Sequence, residues 1–187
     1  VMTVFAIAEQ RDGAFRKVTF ESVSEGRRIA DSLGADLMVV VLGSGMEAAA
    51  ASLGNYGADR VLVVDYDALA DYRTDVYTTV VAALVAEQKP SVVILGASTQ
   101  GKDLAARLAA RLEAALAMDC TAVRVEGEAI VAVRPMYGGK VLADVALSGS
   151  PQIVALRPNA VTIVETARDA AVEKRDVDPG ASFLTIL

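Results

Sequence analysis

The chain has no histidine, no tryptophan and one cysteine, Cys120, among 187 residues. Without histidine it lacks the side chain that most often acts as a general base near neutral pH and most often binds zinc. A single thiol excludes an internal disulfide. Cys120 falls in a strand-like run, where it reads as a small buried hydrophobe or, more sharply, as a nucleophile. Basic residues number 18 against 24 acidic ones, giving a net charge of −6, and no basic run with interleaved aromatics occurs, so nucleic acid is not an expected partner. Charges break every apolar stretch well short of the ~18 residues that cross a bilayer, so no membrane insertion is expected. Residues 2–8 run directly into Glu9-Gln10-Arg11-Asp12-Gly13, unlike a secretory leader. The expected location is the reducing cytoplasm, or the mitochondrial matrix in a eukaryote.

What is present is apolar. Hydrophobic residues make up 53% of the chain, enough for a sizeable core in one domain, or one with a small appendage. Residues 4–8, 36–42, 60–64 and 92–95 read as short, continuously apolar strands. Between them, helices are expected from about Ser22 to the C-cap Gly34, over 46–53, through Val76, Val80, Ala83 and Leu84 up to Pro90, and through Leu104, Ala105, Leu108, Ala109 and Leu112. The loop over 9–16 turns at Asp12-Gly13. Alternating strands and helices of this kind predict a parallel sheet covered on both faces. After Met118 the pattern changes: residues 121–125, 130–134 and 141–145 are strands joined by tight glycine turns, and so antiparallel hairpins. Residues 153–156 predict a further strand and 161–164 another. From residue 166 the composition turns polar and reads as a linker, ending in the apolar run 182–187.

One loop carries a chemical signal. Gly96-Ala97-Ser98-Thr99-Gln100-Gly101-Lys102-Asp103 follows a strand with the glycine spacing of a phosphate-binding loop, but Asp103 stands where Ser or Thr would ligate magnesium. A carboxylate there sets negative charge beside the phosphates. The alternative is a tight strand-to-helix turn, with the glycines serving backbone geometry and Asp103 favourable in the helix's first turn. Asp65 and Asp67 read as metal ligands or as solvated loop acids, and Arg107 and Arg111 as a solvated helix face. Arg134 and Tyr137, beside Pro135 and the Gly138-Gly139 turn, read as interface or flavin-edge contacts, or as hairpin geometry alone.

Three segments in order resemble the N-terminal domain of the electron transfer flavoprotein alpha-subunit. They are Leu53-Gly54-Asn55-Tyr56-Gly57-Ala58-Asp59-Arg60-Val61, the loop from Gly96 to Leu104, and Arg134-Pro135-Met136-Tyr137-Gly138-Gly139-Lys140. The resemblance covers most of residues 2–165 and makes Asp103 ordinary, because the family's lysine there is typically followed by Asp or Asn. It implies a three-layer parallel sheet of the adenine-nucleotide alpha-hydrolase and universal-stress type, followed by antiparallel β-hairpins. The implied organisation is an α/β domain over 1–165 and a linker over 166–187 toward a C-terminal FAD-binding domain that is absent. It also implies a heterodimer with a beta-subunit, one FAD in the intact complex but none in this fragment, and electron transfer from flavin dehydrogenases to a quinone oxidoreductase. The chain is then an electron-carrier subunit domain and not itself a catalyst. In such a fold a nucleotide would sit beyond the first and fourth strands, where Ala8, Glu9, Gly96, Ala97, Ser98, Thr99, Gln100, Gly101, Lys102 and Asp103 gather, in a pocket that is functional or vestigial. A free-standing nucleotide-binding protein of the universal-stress type is the rival reading.

Overall fold

The computed structural model describes residues 2–185. Ile186 and Leu187 of the expected terminal apolar run lie outside that range. In chain order the strands are β1 (Thr3–Ile7), β2 (Gln10–Arg11), β3 (Ala14–Phe15), β4 (Asp36–Gly43), β5 (Arg60–Asp65), β6 (Val92–Gly96), β7 (Ala115–Cys120), β8 (Ala122–Glu126), β9 (Ala129–Met136), β10 (Val141–Ala146), β11 (Gln152–Leu156) and β12 (Ala171–Lys174). The helices are α1 (Lys17–Leu33), α2 (Glu47–Ala50), α3 (Thr74–Gln88) and α4 (Thr99–Leu112). A 3-10 turn, Ala51–Tyr56, continues α2, so the helix expected over 46–53 is two short pieces.

A seven-stranded sheet in the order β12-β5-β4-β1-β6-β11-β7 forms the middle layer, and each neighbouring pair in it is parallel. Alternation along the strands splits the core in two. Val4, Ala6, Val39, Val41, Val61, Val63, Val92 and Ile94 face α1. Phe5, Ile7, Val40, Leu42, Leu62, Val64, Val93 and Leu95 face α3 and α4. Both faces are covered, so the central strands carry no polar alternation.

α1 begins at Lys17, five residues before the expected start, because the β2–β3 hairpin turns the chain sooner; Gly34, at φ +62°, ends the helix as expected. The hairpins after Cys120 form a separate antiparallel sheet, β10-β9-β8. Gln152, at the start of β11, accepts from Ile130 N at 2.7 Å, and Thr121 N, just past β7, donates to Val133 O at 2.8 Å. β9 therefore runs the full height of the large sheet. Its residues beyond Val133 stand past the carboxyl ends of the parallel strands.

Two expectations near the C-terminus need correcting. Residues 161–164 form no strand: the chain there lies along α1, which offers no ladder, and Ser24 Oγ instead bonds the Val164 carbonyl (3.2 Å) and N–H (3.0 Å). Nor are residues 166–174 free of the domain. Thr166 N and Arg168 N each donate at 2.9 Å, to Asn55 O and Gly54 O, and β12 then pairs with β5. Glu173 locks that edge through a two-pronged bond to Arg60 at 2.7 and 2.8 Å. Beneath this strap lies the buried Arg27, whose Nη1 reaches Asp59 at 2.6 Å while Arg168 holds the other Asp59 oxygen at 2.8 Å.

Candidate functional site

The crevice beyond β1 and β6 is built around the start of α4. Ser98 is the N-cap: its Oγ accepts from Gly101 N at 3.0 Å, and its carbonyl accepts from Lys102 N at 2.9 Å. The same hydroxyl donates to the Glu9 carboxylate. Glu9 is fixed in turn by Thr19, whose Oγ1 accepts from Glu9 N at 2.8 Å and donates to Glu9 O at 2.7 Å. The remaining oxygen, Oε1, is buried without a hydrogen bond; the Arg16 guanidinium stands 3.4 Å away.

The glycines explain themselves by contact. A Cβ on Gly101 would lie 1.7 Å from Gly96 O, and one on Gly96 would lie 2.0 Å from Val18 Cγ2 of α1. They let helix, turn and strand close on one another. What remains is a cavity of about 10 Å³ lined by Ala8, Glu9, Gly96, Gln100 and Gly101, roughly enough for one water. An adenine or pyrophosphate has no room there. The Glu9 carboxylate would also repel a phosphate, and the N–H groups of Gly101 and Lys102 are already spent. The residues present therefore do not fit a dinucleotide.

The other members of the loop turn outward. Thr99, Lys102 and Asp103 are exposed, and Asp103 accepts from Tyr72 Oη at 2.7 Å. Beside the closed crevice lies an open, polar recess of about 240 Å³ between Gln10, Arg11, Asp12, Ala70, Asp71, Tyr72 and Gln100. Gln10, absent from the sequence-derived set, shapes it by donating to Ala70 O at 2.9 Å. Its only advance signal was its place in the polar run Glu9-Gln10-Arg11-Asp12 behind an apolar strand.

Asp65 and Asp67 tie loops: they accept from Gly45 N and Ser44 Oγ, each at 2.9 Å. Among the described residues no three Cys, Asp or Glu side chains stand together as a metal site. Cys120 is fully buried, and that burial pushes its thiol up to about 11, the wrong direction for a nucleophile.

Arg134 and Tyr137 stand apart from the crevice, on the part of β9 and its turn that overhangs the sheet. Tyr137 is 76% exposed at φ +51°, and Gly138 and Gly139 follow at φ +69° and +88°. Met136, Val141 and Leu142 are exposed around it. Below the overhang a bulge in β7 puts Asp119 at φ +63° and aims its carboxylate at Arg157, with bonds of 2.6 and 3.1 Å. That pairing is the main reason the Asp119 carboxyl is held below its ordinary range, with Lys102 and Arg134 adding to it from farther off.

An all-parallel sheet flanked by helices, with little free volume in its switch-point crevice, defines an α/β domain of the adenine-nucleotide alpha-hydrolase type. The model of the electron transfer flavoprotein domain matches residues 4–179. The chain belongs to that family. It is 42% identical over 178 residues to Protein FixB of Clostridium saccharobutylicum, covering 93% of this chain and 53% of that protein. It is 40% identical over 158 residues to the electron transfer flavoprotein subunit alpha of Clostridium acetobutylicum, covering 83% and 47%. Over 118 residues it is 44% identical to the acryloyl-CoA reductase electron transfer subunit beta of Anaerotignum propionicum, covering 63% and 32%. The chain thus spans about half the length of the curated relatives it matches over most of its own. No described helix is long and apolar enough to cross a membrane.

Proposed function

We propose that this domain is the N-terminal scaffold of an electron transfer flavoprotein alpha-subunit, not itself catalytic. It pairs with a beta-subunit, and in the intact complex FAD is held by residues outside this chain. That complex carries electrons from flavin dehydrogenases to a quinone oxidoreductase or a similar acceptor. In this reading the segment after residue 175 leads toward the flavin-binding part. The observation that carries the reading is the family match over residues 4–179, together with a crevice of only about 10 Å³ that argues against a nucleotide of the domain's own.

Mixing the protein with a beta-subunit should give a 1:1 complex by size exclusion, and the protein alone should be colourless. Failure to associate under native conditions would overturn the heterodimer. The rival, a free-standing nucleotide-binding protein, requires tight ATP or AMP binding that is lost in Lys102→Ala. The closed crevice and the outward Lys102 support no such binding.

A further inference from the structure

Two of the three family-like segments are accounted for by the domain's own packing. Gly54 receives the strap, since a Cβ there would lie 2.7 Å from Arg168 O, and Gly57 makes room for Arg27. Gly96 and Gly101 close the crevice. In the third segment, residues 134–136 pair with 141–143 of β10, but no packing calls for the glycines of the turn: Gly138 and Gly139 have no atom within 4 Å of where a Cβ would stand.

Arg134 is the clearest case. By strand alternation it shares the inner face of β9 with Ile130 and Ala132, which are fully buried. Arg134 stands just beyond them, where β9 passes the end of the large sheet. Among the described residues its guanidinium makes no hydrogen bond or ion pair, and its Nε is buried without an acceptor. Its neighbours are paired: Arg157 with Asp119, and Arg124 with Asp144 at 2.6 Å. A half-buried guanidinium with an unmet donor leaves free energy unclaimed until an acceptor arrives.

We propose that Arg134 anchors the interface with the beta-subunit, which presents a carboxylate to it, while Met136, Tyr137, Val141 and Leu142 form the apolar ring that excludes water. This rests on the heterodimer reading and adds the place and the chemistry. Arginine, tyrosine and methionine at the centre of an exposed apolar patch are the composition of interface hot spots. Tyr137, Gly138 and Gly139, all in the left-handed region, hold the turn in a set shape. Charge disfavours a second copy of this chain as the occupant: a two-fold axis near Arg134 would set Arg134 and Lys140 against their own copies, while the one acid on β10, Asp144, is engaged by Arg124. A planar fork matches a carboxylate in a bidentate pair, which a lysine cannot reproduce.

The test titrates the protein with purified beta-subunit by calorimetry. Arg134→Ala should weaken binding about 30-fold or more, Arg134→Glu should abolish it, and Arg134→Lys should restore only part. Leu142→Ser and Tyr137→Ser, on exposed positions that cannot unfold the core, should each weaken it several-fold. Thermal midpoints matching the parent would show that the fold is kept. Parental affinity in both Arg134→Ala and Arg134→Glu would overturn the anchor while leaving the heterodimer standing. If Arg134 variants misfold, parental affinity in both serine variants overturns it equally. A parent protein that binds no beta-subunit overturns both readings.

Discussion

Gly96 and Gly101 at one end of the molecule, and Gly138 and Gly139 at another, are glycines for opposite reasons. The first pair is crowded out of having a side chain by Val18 and by a backbone carbonyl. The second pair stands in open space, and only its backbone angles disfavour a Cβ. The crowded pair marks a place where the domain has closed on itself, leaving no volume for a ligand. The open pair marks a place presented outward. A glycine motif is thus evidence of a ligand cradle only when space remains above it.

Substitution should separate the two ends by size of effect. Gly101→Ala should be the most damaging, since its Cβ meets rigid backbone; a loss of about 3 kcal/mol or more is expected in urea melts. Gly96→Ala should cost somewhat less, about 1–3 kcal/mol, because its obstacle is a side chain. Trimming that side chain in Val18→Ala/Gly96→Ala should recover part of the loss as a non-additive coupling. If the double variant is merely the sum of its parts, the crowding argument fails. Gly138→Ala, with strain but no clash, should cost only about 1 kcal/mol.

Smaller effects concern the charged and reactive groups around these ends. Arg157 holds the Asp119 carboxyl below its ordinary 3.8; at Asp59 burial opposes such a shift, but the Leu37 N–H and Arg27 prevail, with Arg168 adding to them. Each binds its proton more weakly folded than unfolded. The stability they contribute is complete above the ordinary value and is lost as pH falls below it through the folded values. Asp119→Asn should flatten part of the acid limb of stability plotted against pH, with little change at pH 7 beyond the lost ion pair. Last, Cys120 should resist thiol reagents at pH 8 until the protein is unfolded; rapid labelling of the native state would contradict its burial.

The strands β1, β4, β5 and β6 were legible because a doubly covered parallel strand is apolar at every position, and the later hairpins because Glu126-Gly127-Glu128 and Gly138-Gly139 mark their turns. Strand order was not. β11 slips between β6 and β7 after three intervening antiparallel strands, a placement set by contacts far apart in sequence. β12 stayed hidden because Ala171-Val172-Glu173-Lys174 is short and half charged, as suits an edge. In the crevice the residues grouped from the sequence, Glu9 with Ser98 and Gly101, do stand together, but volume has no sequence signature. Nor does the unpaired state of Arg134, which depends on where every carboxylate ends up.

The strap from Arg157 to β12 has a colloidal consequence. β5 reads Arg-Val-Leu-Val-Val-Asp, and without β12 it would be an uncovered edge, apolar over its four central residues, a template for pairing with other chains. β12 covers it and presents Glu173 and Lys174 near the outside instead. Loosening the strap at Arg168 or Gly54 is then expected to announce itself as clumping in concentrated solution before any loss of helix is visible.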